Sequence, residues 1–235
     1  MTNDLFQTLG NPAWHALTSV QSDLSTGTEL AKRYQPYIVS FAACVTPTLE
    51  SAASLDPFIS NGESFFLIGD LPPLPSNWSL RTELVCSQMI YRSTIETVSG
   101  IETTPGVPEI HLLTEDDSAD MFDLINTVYP GYYKPDTWRM GAYFGIKQQG
   151  QLVAIAGERM RLDGLTELSA ICTHPDFTGR QYAQRLITHL MNVNLANGII
   201  PFLHVAQTNK RALRLYKHLG FAHHRTISFW LLKKA

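Results

Sequence analysis

Tyr216 stands in Asn209-Lys-Arg-Ala212-Leu-Arg-Leu215-Tyr216-Lys-His-Leu-Gly220-Phe221, a run of the form N-x-x-A-x-x-L-Y-x-x-x-G-F. Ala212, Leu215 and Leu219 make the apolar stripe of a short helix that ends on Gly220 and runs into a strand, and Tyr216 lies at the edge of that stripe. A phenol held there stands at a fixed point above a sheet, where it can hydrogen-bond a developing anion and give it a proton. Periodicity by itself is equally met by a core tyrosine. Upstream, His174-Pro-Asp-Phe-Thr178-Gly179-Arg180-Gln181-Tyr182-Ala183 has the form of a strand end, a turn and a helix start. Free backbone amides and the positive end of a helix dipole suit such a turn to a phosphate group. An ordinary connection with an exposed arginine has the same outline.

Taken together, the two segments resemble the acyl-CoA-dependent N-acyltransferases of the GNAT family. The tyrosine run is complete. The phosphate turn usually reads Q/R-x-x-G-x-G/A in that family; Ala183 and the flanking Gly179-Arg180 match, whereas Thr178 and Gln181 depart from it. A side chain at Gln181 is expected to crowd the phosphates and weaken cofactor affinity. Arg180 can add a charge-assisted contact. By the same resemblance Tyr182 completes the phosphate turn, and Asn209 both caps its helix and contacts the pantetheine of the cofactor.

The resemblance implies further roles. The main chain at Ile171, Cys172 and Thr173 would bond the pantetheine arm like an added strand, with one amide facing the thioester oxygen. A bulge in this strand commonly opens room for the acyl group. Glu167 falls where some members carry the base that deprotonates the amine, and Glu158 on the preceding strand is its rival. Each glutamate is also explained as a salt-bridged strand residue, Glu158 with Arg159 or Arg161 for example. Some members use water alone as the base. The acceptor loop would be Tyr129-Pro-Gly-Tyr132-Tyr133-Lys-Pro-Asp-Thr-Trp138, whose aromatic lining suits a small amine or an amino acid with an apolar portion. The implied activity is transfer of acetyl or a short acyl group from acetyl-CoA to an amine of a small molecule or amino acid. More loosely, the layout is similar to the glycine N-acyltransferase-like branch. A non-catalytic acyl-CoA-binding sensor, suggested by Thr178 and Gln181, is the alternative.

Composition narrows the classes. The chain has 235 residues, 44% of them hydrophobic, enough for a sizeable core in one large or two small domains. Lys plus Arg number 18 against 21 Asp plus Glu, so a net charge of −3 offers no field for nucleic acid or an acidic membrane. No signal-like or membrane-spanning run is evident, which makes the cytoplasm the expected address. Cys44, Cys86 and Cys172 sit in apolar runs as reduced, buried thiols. The eight histidines lack metal-site spacing, so no metal is expected. A homodimer is compatible with the composition.

The elements that must position these residues follow from punctuation and periodicity. Gly100 to Pro108 reads as a linker and divides the chain into an N-terminal α+β unit, 1–105, and a GNAT-like unit, 106–235. The first would be a degenerate copy or a cap, with helix starts at Asn11-Pro12 and Thr46-Pro47 and strands at Tyr37–Cys44, Ser64–Ile68 and Leu84–Tyr91. The second has the order β-α-α-β-β-β-α-β-α-β. Its strands include Ala142–Lys147, Leu152–Arg161, Leu165–Thr173, Ile199–Ala206 and Phe221–Leu232, with an amphipathic helix over Arg180–Asn197. The fold class is α/β in the broad α+β sense, a mixed, mostly antiparallel sheet flanked by helices.

Overall fold

The structure, a computed structural model, describes residues 5–92 and 108–235. The expected linker lies, apart from Pro108, outside the described residues. Among the described residues eleven strands form one sheet. They are β1 Ser25–Gly27, β2 Ala31–Tyr34, β3 Phe41–Cys44, β4 Ser64–Ile68, β5 Trp78–Tyr91, β6 His111–Leu113, β7 Tyr143–Gln148, β8 Gln151–Leu162, β9 Leu165–Thr173, β10 Ile200–Ala206 and β11 Phe221–Lys234. The order across the sheet is β1-β2-β3-β4-β11-β5-β10-β9-β8-β7-β6, antiparallel except for β3 against β4 and β9 against β10. Strand β5, from the first half of the sequence, lies between β10 and β11 from the second. Strands from the two halves therefore share one ladder.

Among the described residues five α-helices cover the sheet, and their starts follow from local chemistry. Helix α1, Pro12–Thr18, has proline at its first position, where the missing amide costs nothing. Helix α2, Leu49–Leu55, is capped by Thr48, whose side chain accepts from the Ser51 amide, two residues beyond the Thr46 start expected from sequence. Helix α3, Ser118–Val128, follows a 3₁₀ turn opened by a capping box between Thr114 and Asp117. Helix α4, Tyr182–Ala196, buries Leu186, Ile187, Leu190 and Met191 along one face. Helix α5, Lys210–His218, starts on the Asn209 cap, whose Oδ1 accepts from Ala212 N at 3.1 Å. It ends at Gly220, whose φ of 90° is the left-handed conformation that closes a helix with least strain when the residue is glycine.

The two faces of the sheet carry separate cores because strand side chains alternate. On one face Phe202, Phe229, Met160, Leu162 and Leu165 pack against Leu9 and the α1 residues Ala13, Ala16 and Leu17. On the other, Leu203, Val205, Ala154, Ala156 and Leu168 pack against α4 and against Tyr216 and Leu219. Helix α3 lies on the first face through Met121, Leu124 and Ile125, which meet Ile155 and Cys172. Each such fully buried aliphatic or aromatic side chain contributes about 1.5–3 kcal/mol. The helix carrying Tyr216 is thus fixed on one side of the sheet. No helix among the described residues is long and apolar enough to cross a membrane.

Candidate active site

Strands β9 and β10 pair only over Leu165–Glu167 against Ile200–Phe202. Beyond those residues β9 continues to Thr173 and β10 to Ala206 without pairing to each other, so a gap opens between them. A bulge on β9 contributes to the divergence. Ile155 pairs with Cys172 and Gly157 with Ser169, leaving Ala170 and Ile171 opposite the single residue Ala156. Ala170 has φ 52°, in the left-handed region that alanine enters at a cost of about 1–2 kcal/mol. The bulge implied by the family resemblance is therefore present, and strain is stored at the lip of the gap.

The unpaired edge of β9 supplies donors. His174 N bonds Val153 O at 2.8 Å on the β8 side, and the alternation of a strand then directs the Thr173 amide to the opposite edge, toward the gap. The Ile171 amide has the same parity. Cys172 lies between them with its thiol pushed up to about 12 by burial, so it stays protonated and offers no nucleophile.

At the end of this lip the chain passes through a 3₁₀ turn, Pro175–Phe177, and enters α4. None of the backbone amides from Gly179 to Gln184 finds an acceptor among the described residues. They form an open set of donors at a helix N-terminus, suited to a diphosphate. Thr178 turns inward locally, its hydroxyl donating to Pro175 O at 3.1 Å. Arg180 stacks its guanidinium 4.9 Å from the centre of the Phe177 ring and so borders the turn. Gly179 has φ 79° and Gln181 φ 61°. Gln181, which stands where the family usually has glycine, adopts the left-handed backbone that glycine would take. Tyr182 is buried against the α4 core, whereas Ala183 is half-buried at the helix start.

Tyr216 packs edge-on against Phe221, with ring centroids 6.1 Å apart. Its hydroxyl has no hydrogen-bond partner among the described residues. Burial raises its pKa well above the ordinary phenol value, and Tyr129 adds to the rise. Tyr129, at the end of α3, also lies within electrostatic reach of Cys172. Tyr216 shares a core with Leu203 and Val205 of β10, the strand on one side of the gap, which places a protonated phenol beside that strand.

The two glutamates expected as rival bases are held otherwise. Glu167 is fully buried and accepts from Arg159 Nε at 2.8 Å, Arg159 Nη2 at 2.5 Å, His204 Nδ1 at 2.7 Å and Met160 N at 3.3 Å. Burial would raise its pKa, but Arg159 and His204 outweigh that effect and hold it at about 2. A carboxylate so weakly basic and so fully occupied is a counterion. Glu158 accepts from Ala142 N at 3.0 Å and from Asn194 Nδ2 of α4 at 2.9 Å, and Arg161 Nε lies 3.8 Å away. It is directed at α4, away from Arg159. Both glutamates are buried carboxylates whose oxygens are already occupied by protein donors.

The arrangement around Glu167 is not legible in local sequence patterns. Glu158 pairs with Leu168 and Arg161 with Thr166, so Arg159 and Met160 together oppose Glu167 in a second bulge. This turns Arg159 toward Glu167 rather than toward its neighbour Glu158. Gln88 of β5 donates to Leu9 O at 3.0 Å through Nε2 and contacts His204 Nε2 at 2.9 Å with the same nitrogen. Gln88 is the donor there, which leaves the His204 proton on Nδ1, facing Glu167.

On the face opposite Tyr216, a cavity of about 120 Å³ opens beside His204 and Ala206 of β10. Its wall includes Arg159, Phe41, Phe66 and Phe229. It adjoins a second cavity of about 370 Å³ that shares Phe41, Phe66 and Tyr132 with it. Of the aromatic loop expected to meet the acceptor, Tyr132 lines both cavities, while Tyr133 packs into the α3 core. Phe41 and Phe66 come from the first half of the chain, where sequence reading placed no site residue. Among the described residues no three His, Cys, Asp or Glu side chains converge on a metal site.

This geometry can be compared with known proteins. The FR47-like protein family matches residues 143–231, which contain the gap, the phosphate turn and Tyr216. A GNAT-family protein from Novosphingobium aromaticivorans DSM 12444 is similar at 32% identity, with 97% of this chain and 98% of that one covered and a TM-score of 0.85. A GCN5-related N-acetyltransferase from Kribbella flavida has a similar fold at 13% identity, covering 94% and 95% of the two chains with a TM-score of 0.59. A GCN5-related N-acetyltransferase-like protein from Streptococcus suis 89/1591 matches at 12% identity over 93% of each chain, TM-score 0.58. No curated protein sequence matches. Similarity to the Novosphingobium protein runs almost end to end and includes the strand-and-turn frame that opens the gap, and on that ground the chain belongs to the GNAT family.

Proposed function

We propose that the protein transfers an acetyl group from acetyl-CoA directly to an amine of a small molecule or amino acid. The observation that carries this reading is the gap between β9 and β10, with unpaired amides on one lip, the Tyr216 phenol beside it and a donor-rich helix start at its end. Membership of an acetyltransferase fold family supports the same reading.

In this scheme the amides of Gly179–Gln184 and Arg180 hold the diphosphate of the cosubstrate. The β9 edge at Ile171 and Thr173 bonds its arm and directs an amide at the thioester oxygen, where negative charge develops. The amine lone pair forms the C–N bond, the C–S bond breaks with its electrons on sulfur, and the Tyr216 hydroxyl hydrogen-bonds and protonates that sulfur. Glu167 and Glu158 being occupied, the surplus proton of the amine leaves through water, and one proton returns from water to the Tyr216 oxygen. The left-handed backbone at Gln181 supports the enzyme over the sensor suggested by Thr178 and Gln181.

The test is release of free thiol from acetyl-CoA in the presence of a panel of primary amines. Tyr216→Phe is expected to lower kcat by about 10–100-fold while CoA affinity changes less than about twofold. Absence of amine-dependent thiol release across the panel overturns the proposal.

A further inference from the structure

The cavity on the acceptor side has a chemical character that the transfer reaction does not require. Phe41, Phe66, Phe229 and Leu84 make it apolar, and Tyr132 stacks on Phe66 at 6.4 Å with 22° between the rings. Arg159 is the charged group in the inner wall, 20% exposed, its guanidinium carbon 4.9 Å from the Phe41 ring centre and 5.8 Å from that of Phe229. Two of its three nitrogens are bonded to Glu167, and Nη1 has no hydrogen-bond partner among the described residues. Among the described residues no aspartate or glutamate lines either cavity, and Lys134 stands in the outer one.

Resting on the acetyl-transfer reading of the gap, we propose that the acceptor is an α-amino acid with an aromatic side chain, its carboxylate bound by Arg159 Nη1 and its ring held by Phe41, Phe66 and Tyr132. The placement follows from the strands. Glu167 and Phe202 form the last pair before β9 and β10 part, so the Arg159 held by Glu167 sits at the closed end of the gap. A carboxylate on Nη1 sets the α-amine, two bonds beyond the carboxyl carbon, toward the gap, while the side chain is free to point outward among the aromatic rings. The α-nitrogen then becomes the amide nitrogen of the N-acetyl product, the thioester sulfur leaves as CoA thiol, and one proton passes to solvent. An amine with no carboxylate would leave Arg159 Nη1 desolvated and unpaired, a penalty charged against the wrong substrate. Glycine would leave the apolar cavity unfilled. The bidentate grip of Glu167, oriented in turn by His204 and Gln88, makes these three positioning residues for Arg159.

The experiment compares L-phenylalanine, L-phenylalaninamide, 2-phenylethylamine and glycine as acceptors with acetyl-CoA, read by thiol release, and measures their binding to the CoA-loaded wild-type protein by calorimetry. The expected result is a kcat/KM for phenylalanine at least about tenfold above each of the other three. The amide has the more readily deprotonated amine, so a preference for the acid runs against simple nucleophile availability. Turnover of the amide or of 2-phenylethylamine as good as that of phenylalanine overturns the carboxylate anchor, and equal use of glycine overturns the aromatic seat; acetyl transfer survives both. Carboxylate-dependent binding of phenylalanine with no turnover of any amine upholds the cavity assignment and rejects the transfer reading. Neither binding nor turnover rejects both. Phe66→Ala, at a half-buried position on the cavity wall, is expected to raise the KM for phenylalanine about tenfold with little change in kcat; an unchanged KM counts against the seat.

Discussion

Arg159 and Glu167 face each other across a strand bulge and share two hydrogen bonds, 2.8 and 2.5 Å long, at the point where β9 and β10 separate. The pair anchors the base of the gap. It also links stability to acid. The folded pKa of Glu167, held at about 2, lies below its ordinary value of 4.5, so its contribution is present above that ordinary value and is lost as pH falls through the interval toward 2. The depression corresponds to something on the order of 3 kcal/mol. Urea melts between pH 7 and pH 2.5 are expected to show this loss concentrated below about pH 4.5. Glu167→Gln should lose about 3–5 kcal/mol at neutral pH, because Arg159 is left without its counter-charge, and should show a shallower acid limb.

Gln181 occupies a left-handed position at φ 61° without the conformational freedom of glycine. Gln181→Gly is expected to raise stability by up to about 1 kcal/mol by relieving that strain. It should also tighten CoA binding or leave it unchanged, since the donor geometry is already formed. Chemical denaturation and calorimetric titration with CoA measure the two effects separately.

The raised pKa of Tyr216 keeps its phenol protonated through the alkaline range in which an exposed tyrosine begins to ionise. In the proposed role of hydrogen donor, Tyr216 is expected to give kcat no falling limb from its ionisation up to about pH 10. A decline centred below that value and abolished in Tyr216→Phe would assign the phenol an ordinary pKa and contradict its burial.

Asn209 satisfies the first turn of α5 through its bond to the Ala212 amide. Asn209→Ala is expected to cost about 1 kcal/mol. Since α5 carries Tyr216 and Asn209 is expected to meet the pantetheine, the change should lower kcat and weaken CoA binding together, which steady-state kinetics and equilibrium binding measure.

Much of the frame is legible in sequence where one face of an element is apolar and its ends carry turn residues. Strands Ser64–Ile68 and Leu165–Thr173 have the limits that their patterns indicate, and α5 follows from its cap, stripe and closing glycine. Strand β5 begins at Trp78 instead of Leu84, because its first residues face solvent and show no apolar run. Strands β1 and β2 are short and were not foreseen. The site is less legible than the frame. A left-handed alanine at position 170 leaves no trace in composition, and the bulge at Arg159 decides which glutamate that arginine meets. Phe41, Phe66 and Phe229 converge only through the order of strands in the sheet, which local patterns do not encode.

The intercalation of β5 between β10 and β11 has a consequence for how this protein can be cut. A fragment starting after residue 107 would retain Tyr216 and the phosphate turn yet have a slot one strand wide through its middle, with two rows of bare main-chain groups facing each other across it. Such a piece should precipitate or recruit a foreign strand. Supplying residues 5–92 as a separate polypeptide is the natural route to restoring it, which makes this fold a candidate for split-protein complementation.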